Sequence, residues 1–289
     1  VYKAIDDKNS QETFVDENFD SVFGTGHALQ NDLTISGGGD NSTYFFSLGH
    51  LDQDGMIKNA TYERTNARLN YEAKLNDKIT LSSKMAYTFT KSNRIQQSSN
   101  VSGLMLGLLR TPPDFDGRDY KGTYTSSGGT EYVNRGRSYR KPIGQSSNQS
   151  YTNPLWTVNE QTSLTKVNRI TVTPQLTIKP TNWFSVIARG NVDVADDKRT
   201  YFFPVGDASS RANGQFQEDV LDIRNSSLDL IGKANFDLTD NINLTATAGW
   251  SYNDRKYNRI SGNITGFLVN SSKQTTALNT SAEASSFEN

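Results

Sequence analysis

Between Ala67 and Thr90 the chain alternates apolar and polar residues almost without a break. Ala67, Leu69, Tyr71, Ala73 and Leu75 interleave with Asn66, Arg68, Asn70, Glu72 and Lys74. Beyond Asn76-Asp77-Lys78, the residues Ile79, Leu81, Ser83, Met85, Tyr87 and Phe89 interleave with Thr80, Ser82, Lys84, Ala86, Thr88 and Thr90. Successive strand side chains point to opposite faces, so this segment predicts a hairpin with one apolar and one polar wall. Each arm runs about ten residues, enough to cross a bilayer as a tilted strand, whereas strands in soluble sheets average about five or six.

The same pattern lays out eight strands between residues 29 and 260. Leu29, Leu33 and Ile35 mark the first, which ends at Gly37-Gly38-Gly39-Asp40-Asn41, and Tyr44, Phe46 and Leu48 begin the second. The hairpin above supplies the third and fourth. Ile170, Val172, Leu176 and Ile178 define the fifth, and Phe184, Val186, Ala188, Val192 and Val194 the sixth. Leu228, Leu230, Ala234, Phe236 and Leu238 form the seventh, and Ile242, Leu244, Ala246, Ala248, Trp250 and Tyr252 the eighth. Pro174, which has no amide hydrogen for the ladder, predicts a bulge or bend in the fifth. Minimal turns alternate with longer connections, and two of these, about 91–165 and 195–223, read as external loops. Residues 1–28 form a polar lead-in in which Phe14, Phe19 and Phe23 could pack against a neighbour. Residues 261–289 form a polar tail, a truncated loop or strand.

This predicts an all-β fold: an antiparallel transmembrane β-barrel segment in a bacterial outer membrane. A secreted β-sandwich also alternates apolar-in with polar-out. Strand length, long loops confined to one end, and an apolar face free of charge over the last six strands favour the barrel. Aromatic residues near strand ends (Tyr87, Phe89, Trp183, Phe184, Trp250, Tyr252) fit interfacial girdles. A barrel of eight strands alone would crowd Arg68, Glu72, Lys84, Arg169, Arg189, Asp229 and Lys233 into a nearly filled interior. The strands therefore read as part of a wider wall around a hydrated or plugged lumen.

Composition fits that picture. The 289 residues carry a net charge of −1, with 21% charged and no cysteine, so no basic field points to nucleic acid. The mean hydropathy of −0.66 suits a wall that shows only alternate residues to lipid. The apolar run Leu104–Leu109 is too short to span a membrane as a helix.

The segments Gln30-Asn31-Asp32-Leu33-Thr34-Ile35-Ser36-Gly37-Gly38, Ser42-Thr43-Tyr44-Phe45-Phe46-Ser47-Leu48-Gly49 and Leu51-Asp52-Gln53-Asp54-Gly55-Met56-Ile57-Lys58 open an ordered series that resembles the SusC/RagA-like TonB-dependent transporters of the Bacteroidetes. In order there follow Tyr62, Arg64, Asn66-Ala67-Arg68-Leu69-Asn70, Arg110-Thr111-Pro112-Pro113-Asp114-Phe115-Asp116-Gly117 and Asn153-Pro154-Leu155-Trp156. Val167-Asn168-Arg169 and Lys179-Pro180-Thr181-Asn182-Trp183 complete the series. The resemblance implies a barrel of about 22 strands around a plug. It also implies a SusD-like surface lipoprotein over the mouth and TonB-energised uptake of oligosaccharides or peptides. No plug or TonB-contacting segment is recognisable here, so the TonB complex would act through a region outside this sequence, and transport would belong to a longer parent protein.

No catalytic or metal-binding constellation stands out, and no cofactor is expected. His27 and His50 lack evident partners, and with no cysteine the thiol routes are closed. Asp114–Asp119 and Asp52–Gly55 carry aspartate and glycine as turns do, without the full spacing of a calcium loop. Ser102–Leu109 predicts a short helix stopped by Pro112-Pro113. The candidate ligand-binding residues lie in the long loop: Arg110, Asp114, Phe115, Asp116, Tyr120, Tyr124 and Trp156. Aromatic faces take sugar rings or apolar side chains, and arginine takes carboxylates. Packing of the loop, or contact with the lipoprotein, accounts for the same residues. A non-transporting adhesin barrel and a soluble carbohydrate-binding β-protein are the competing functions.

Overall fold

The computed structural model describes residues 17–95, 99–113, 115–140, 148–239 and 241–267, with the backbone alone for Ser209 and residues 279–288. A helical turn, α1 (Glu17–Asp20), precedes the strands β1 (Ala28–Gly38), β2 (Ser42–Asp54), β3 (Thr61–Asn76) and β4 (Ile79–Asn93). The long loop then carries α2 (Leu104–Arg110), β5 (Lys121–Thr125), β6 (Glu131–Gly136) and α3 (Pro154–Glu160). The wall resumes with β7 (Thr162–Ile178), β8 (Phe184–Val205), β9 (Asn213–Thr239), β10 (Ile242–Phe267) and β11 (Asn279–Glu288). Nine strands make one antiparallel sheet in the order β1-β2-β3-β4-β7-β8-β9-β10-β11, and β5-β6 form a separate hairpin. No described helix is long and apolar enough to cross a membrane.

Cross-strand pairing turns the sheet into a grid. One row joins Leu29, Asp52, Glu63, Lys91, Lys166, Lys198, Val220 and Ile260. Eight residues lower on β1, another row of the same face passes through Gly37, Tyr44, Tyr71, Ser83 and Pro174, and continues from Gly190 through Leu228 to Tyr252. The apolar residues of this face do not follow either row. Their limit toward the long loop is Leu29 on β1, Phe89 on β4, Val194 on β8 and Tyr252 on β10. That limit drops by about eight residues across seven strand spacings. At about 3.3 Å per residue and about 4.8 Å per strand, the slope is roughly 40°, inside the tilt range of outer-membrane barrels.

On β8 the band runs from Phe184 to Val194. At that tilt it stands about 25 Å tall, the height of the apolar band of such barrels. Its side chains are bare: Ile170 is 52% exposed, Trp250 55% and Leu244 48%. Soluble monomers rarely show contiguous apolar patches of more than a few hundred Å². The opposite face carries hydrogen-bonded charge. Arg169 donates to both carboxylate oxygens of Asp193 (2.8 and 2.7 Å), which also accepts from Thr171. Arg189 and Ser251 donate to Asp229. Aromatics sit at both limits of the band: Trp183 packs on Phe184 and Phe236 at the short-turn end, and Trp250 stacks on Tyr252 at the other.

Three expectations change. Residues 195–223 are not an external loop, because β8 and β9 continue to Val205 and from Asn213, leaving only 206–212 between them. Above the band both faces are polar, with Asp196, Lys198, Asp222 and Arg224 in line with the apolar residues below, so alternation vanishes while the backbone ladder persists. Of the alternatives for 261–289, a truncated loop or a strand, the described residues form strand: β10 reaches Phe267, and β11 pairs with it. That adds a ninth strand to the eight expected. Pro174 makes no bulge. The β7–β8 register is the same at Val172–Val192 and Gln175–Arg189 with an interruption between them, and the Pro174 ring lies beside Gly190, where even a Cβ would make only ordinary contact at 3.6 Å. Phe19 and Phe23 stack on each other, whereas Phe14 lies outside the described residues.

Candidate functional site

The long loop folds into a small core of its own. Leu104 and Leu108 of α2 and Leu155 and Val158 of α3 bury together with Ile95 and with Val22 of the lead-in. Asn153 organises it. Its side chain caps α3 by accepting from the Leu155 amide (2.8 Å) and donates to the Gly117 and Arg137 carbonyls (3.1 and 2.9 Å). Pro154 follows at the first helical position, where its missing amide hydrogen costs nothing. The helix expected at 102–109 forms at Leu104–Arg110 and ends before Pro112. The sequence analysis did not identify α3, although Asn153-Pro154 is a start signal. It also missed the β5–β6 hairpin, whose Ser-Gly-Gly turn puts Gly129 at a φ of 84°.

Of the predicted ligand residues, Phe115, Asp116, Tyr120 and Trp156 lie around the segments that Asn153 ties together. Phe115 and Trp156 are buried, at 0% and 1% exposure. Tyr120 presents its ring to the edge of Trp156, and its hydroxyl donates to Glu160 (3.1 Å); burial, then the Glu160 charge, raises its pKa. Asp116 accepts from Arg118 through both oxygens, and those bonds hold its carboxyl below the usual range. Arg110 is engaged with Asn100 at the end of α2, and Tyr124 packs on Tyr132 in the β5–β6 hairpin. Asp114 lies outside the described residues. Among those residues, no group of three or more His, Asp or Glu side chains is placed to hold a metal.

The loop is pinned to the β8–β9 connection. Asp207 is fully buried and accepts from Thr152 Oγ1 (2.6 Å), Gln161 Nε2 (2.9 Å) and the Ala208 amide. Burial lifts its carboxyl to about 6 against the pull of those donors and of Arg211. Gln149 donates to the Gly206 carbonyl, and Arg211 to the Ser102 hydroxyl (3.0 Å).

Beside this junction the polar face of β8–β10 is concave. A cleft of about 430 Å³ is lined by Arg199, Tyr201 and Phe203 from β8, Arg211 from the connection, Gln215, Gln217 and Asp219 from β9, and Tyr257 and Arg259 from β10. Sequence reasoning placed most of these residues in a loop. Their common face follows only from the register, which sets Arg199 opposite Asp219, and Leu221 between Asp197 and Arg259.

The wall, with its oblique apolar band and charged reverse, defines an outer-membrane β-barrel segment, and comparison with known proteins specifies the kind. No family model matches the chain. TonB-dependent receptor P39 of Formosa agariphila is 32% identical over 101 residues, which are 34% of this chain and 10% of that protein. TonB-dependent receptor P26 of the same organism is 27% identical over 99 residues, again 34% and 10%. The chain thus spans about a tenth of the length of these curated relatives. Among solved structures, the RagAB peptide importer in its closed-closed state superposes with a TM-score of 0.71 at 20% identity, covering 96% of this chain and 30% of that one. The chain has the fold of outer-membrane barrel wall and is similar to TonB-dependent receptors over about a third of its length. The resemblance to SusC/RagA-like proteins read from the sequence is borne out.

Proposed function

We propose that this chain supplies wall and outer loops to a TonB-energised importer of oligosaccharides or peptides. A SusD-like surface lipoprotein closes over its mouth, at the end carrying the loop 94–161. The observation that carries the reading is the two-faced grid: an apolar band of bilayer height, backed by a face of paired charges suited to a wet lumen. The names of its relatives support uptake, and a neighbour described as a peptide importer supports a polymeric cargo. In this reading residues 29–260 lie within the wall, the buried Phe115 and Trp156 hold the loop's shape, and the polar face of β8–β10 meets the cargo.

The test is uptake by cells carrying the full-length protein. Deleting its gene should abolish accumulation of a labelled mixture of oligosaccharides and peptides by the otherwise identical strain. A protonophore should abolish it equally, because TonB draws on the proton gradient. Uptake that ignores both treatments contradicts the proposal.

A further inference from the structure

We propose that the cleft between β8, β9 and β10 binds an anionic oxygen group of the cargo, a carboxylate or a sulfate ester, through Arg211 and Arg259. The inference rests on the importer reading and narrows its substrate class.

The charge balance of the cleft is uneven. Arg199 is held by Asp197 in a two-pronged contact of 2.6 and 3.1 Å, and Arg259 Nη2 donates to Asp219 at 2.8 Å. Arg211 has no ion pair among the described residues. Its one hydrogen bond there goes to the neutral hydroxyl of Ser102, and its guanidinium carbon lies 3.8 Å from the centre of the Phe203 ring. The lining itself holds three guanidinium groups against one carboxylate, Asp219; Asp197, outside it, takes Arg199, and the buried Asp207 acts on Arg211 through its charge without an ion pair. A second observation points the same way: Arg259 Nε is buried and meets no acceptor among the described residues. An unmet buried donor costs about 1–3 kcal/mol, and more when charged, so a turn of the Arg259 side chain toward an incoming oxygen removes a penalty already present. Arg211 lies over the face of Phe203, which helps hold in place the planar fork that carboxylate and sulfate oxygens fit.

Position and size agree. The arginines lie above the apolar band, on the polar face, where a cargo entering from outside passes. The cleft volume falls within the range of small-ligand sites, about 300–1,000 Å³. Tyr201 and Tyr257 line it and offer ring faces to whatever bears the charge. Arg211 is also tied to the long loop through Ser102, so loop and wall together set the site.

The experiment uses the full-length protein in lipid nanodiscs and three matched pairs of probes. These are a trigalacturonate and its methyl ester, a sulfated trisaccharide and its unsulfated parent, and an N-acetylated neutral peptide as free acid and as amide. The charged member of at least one pair should bind about tenfold to a hundredfold more tightly than its neutral twin. That excess should shrink as salt rises from about 0.05 to about 0.5 M. Arg211→Gln, which leaves the Arg259–Asp219 pair intact, should remove most of it, and Arg211→Gln with Arg259→Gln all of it. Arg211→Lys should keep part, and heat-modifiable migration checks that each variant is folded. Equal binding within every pair, no binding of any probe, or a preference that survives the double variant overturns the anion site. None of these touches the importer reading, which falls only if protonophore-sensitive uptake is absent.

Discussion

Moving an arginine by one residue should turn a tolerated charge into a destabilising one. Arg189 lies on the polar face, donates to Asp229 and is 44% exposed. Ala188, its neighbour, lies near the middle of the apolar band, paired with Leu176 on β7 and Leu230 on β9. Ala188→Arg would hold a guanidinium among acyl chains, a cost of about 2–4 kcal/mol near the midplane of a barrel. Thr200 is on the same face of the same strand, twelve residues further up. At about 3.3 Å per residue and a tilt of roughly 40°, that places it about 30 Å higher, beyond the interface, so Thr200→Arg should cost about 0–1 kcal/mol. Both variants place the same guanidinium side chain on one face of one β-strand, so the difference between them is dominated by depth. The assay is urea unfolding of the full-length protein in vesicles, with the folded fraction read from heat-modifiable migration. The midplane variant should lose about fivefold to several-hundredfold in folding constant relative to Thr200→Arg. Equal costs at the two positions would refute the placement of the band.

Other outcomes follow from the loop and its anchor. Asn153→Ala removes the α3 cap and two further hydrogen bonds, one buried and one part-buried, so the loop should loosen by about 2–4 kcal/mol. Proteolysis within residues 101–160 should accelerate while barrel migration is unchanged. The Asp207 carboxyl, ordinarily near 3.8, is raised to about 6 in the folded protein. Its protonated form is therefore favoured by docking, and the contribution is full below about pH 4 and lost as pH rises through about 6. From pH 7 to pH 5 the anchor should tighten by about 1 kcal/mol. Hydrogen exchange of residues 149–161, corrected for its intrinsic pH dependence, should slow severalfold over that interval, and Asp207→Asn should abolish the change. Asp229→Asn, on the wet face, should leave the unfolding midpoint close to that of the unaltered protein, because its partner Arg189 stays solvated; a loss matching that of Ala188→Arg would contradict the lumen assignment.

The wall was legible wherever lipid imposes a two-residue period. Leu69, Met85, Val172, Val192 and Leu230 sit on the face that alternation gave them, and the turns at Asn76-Asp77-Lys78 and Lys179–Asn182 fall between the strands expected. Legibility ended where water wets both faces. Lys198, Glu218 and Arg224 read as loop because nothing in their chemistry repeats, yet backbone pairing carries β8 and β9 through them. The cleft was hidden for a related reason. Arg199, Arg211 and Arg259 come from two strands and a turn, and only the register brings them together. The loop helix α2 showed its Leu-rich run and proline stop, whereas the buried roles of Phe115 and Trp156 depend on contacts about forty residues apart that no local pattern encodes.

The central claim is that acyl chains touch one face of this sheet and water the other. The chain has no cysteine, so single cysteines can be placed at Leu69, Met85 and Leu230 and at their neighbours Asn70, Lys84 and Asp229. Each would carry a fluorophore in the full-length protein reconstituted with nitroxide-labelled lipid. Strong quenching at 69, 85 and 230, with little at 70, 84 and 229, is the predicted result. Quenching that is equal on both sets, or reversed, would contradict the account.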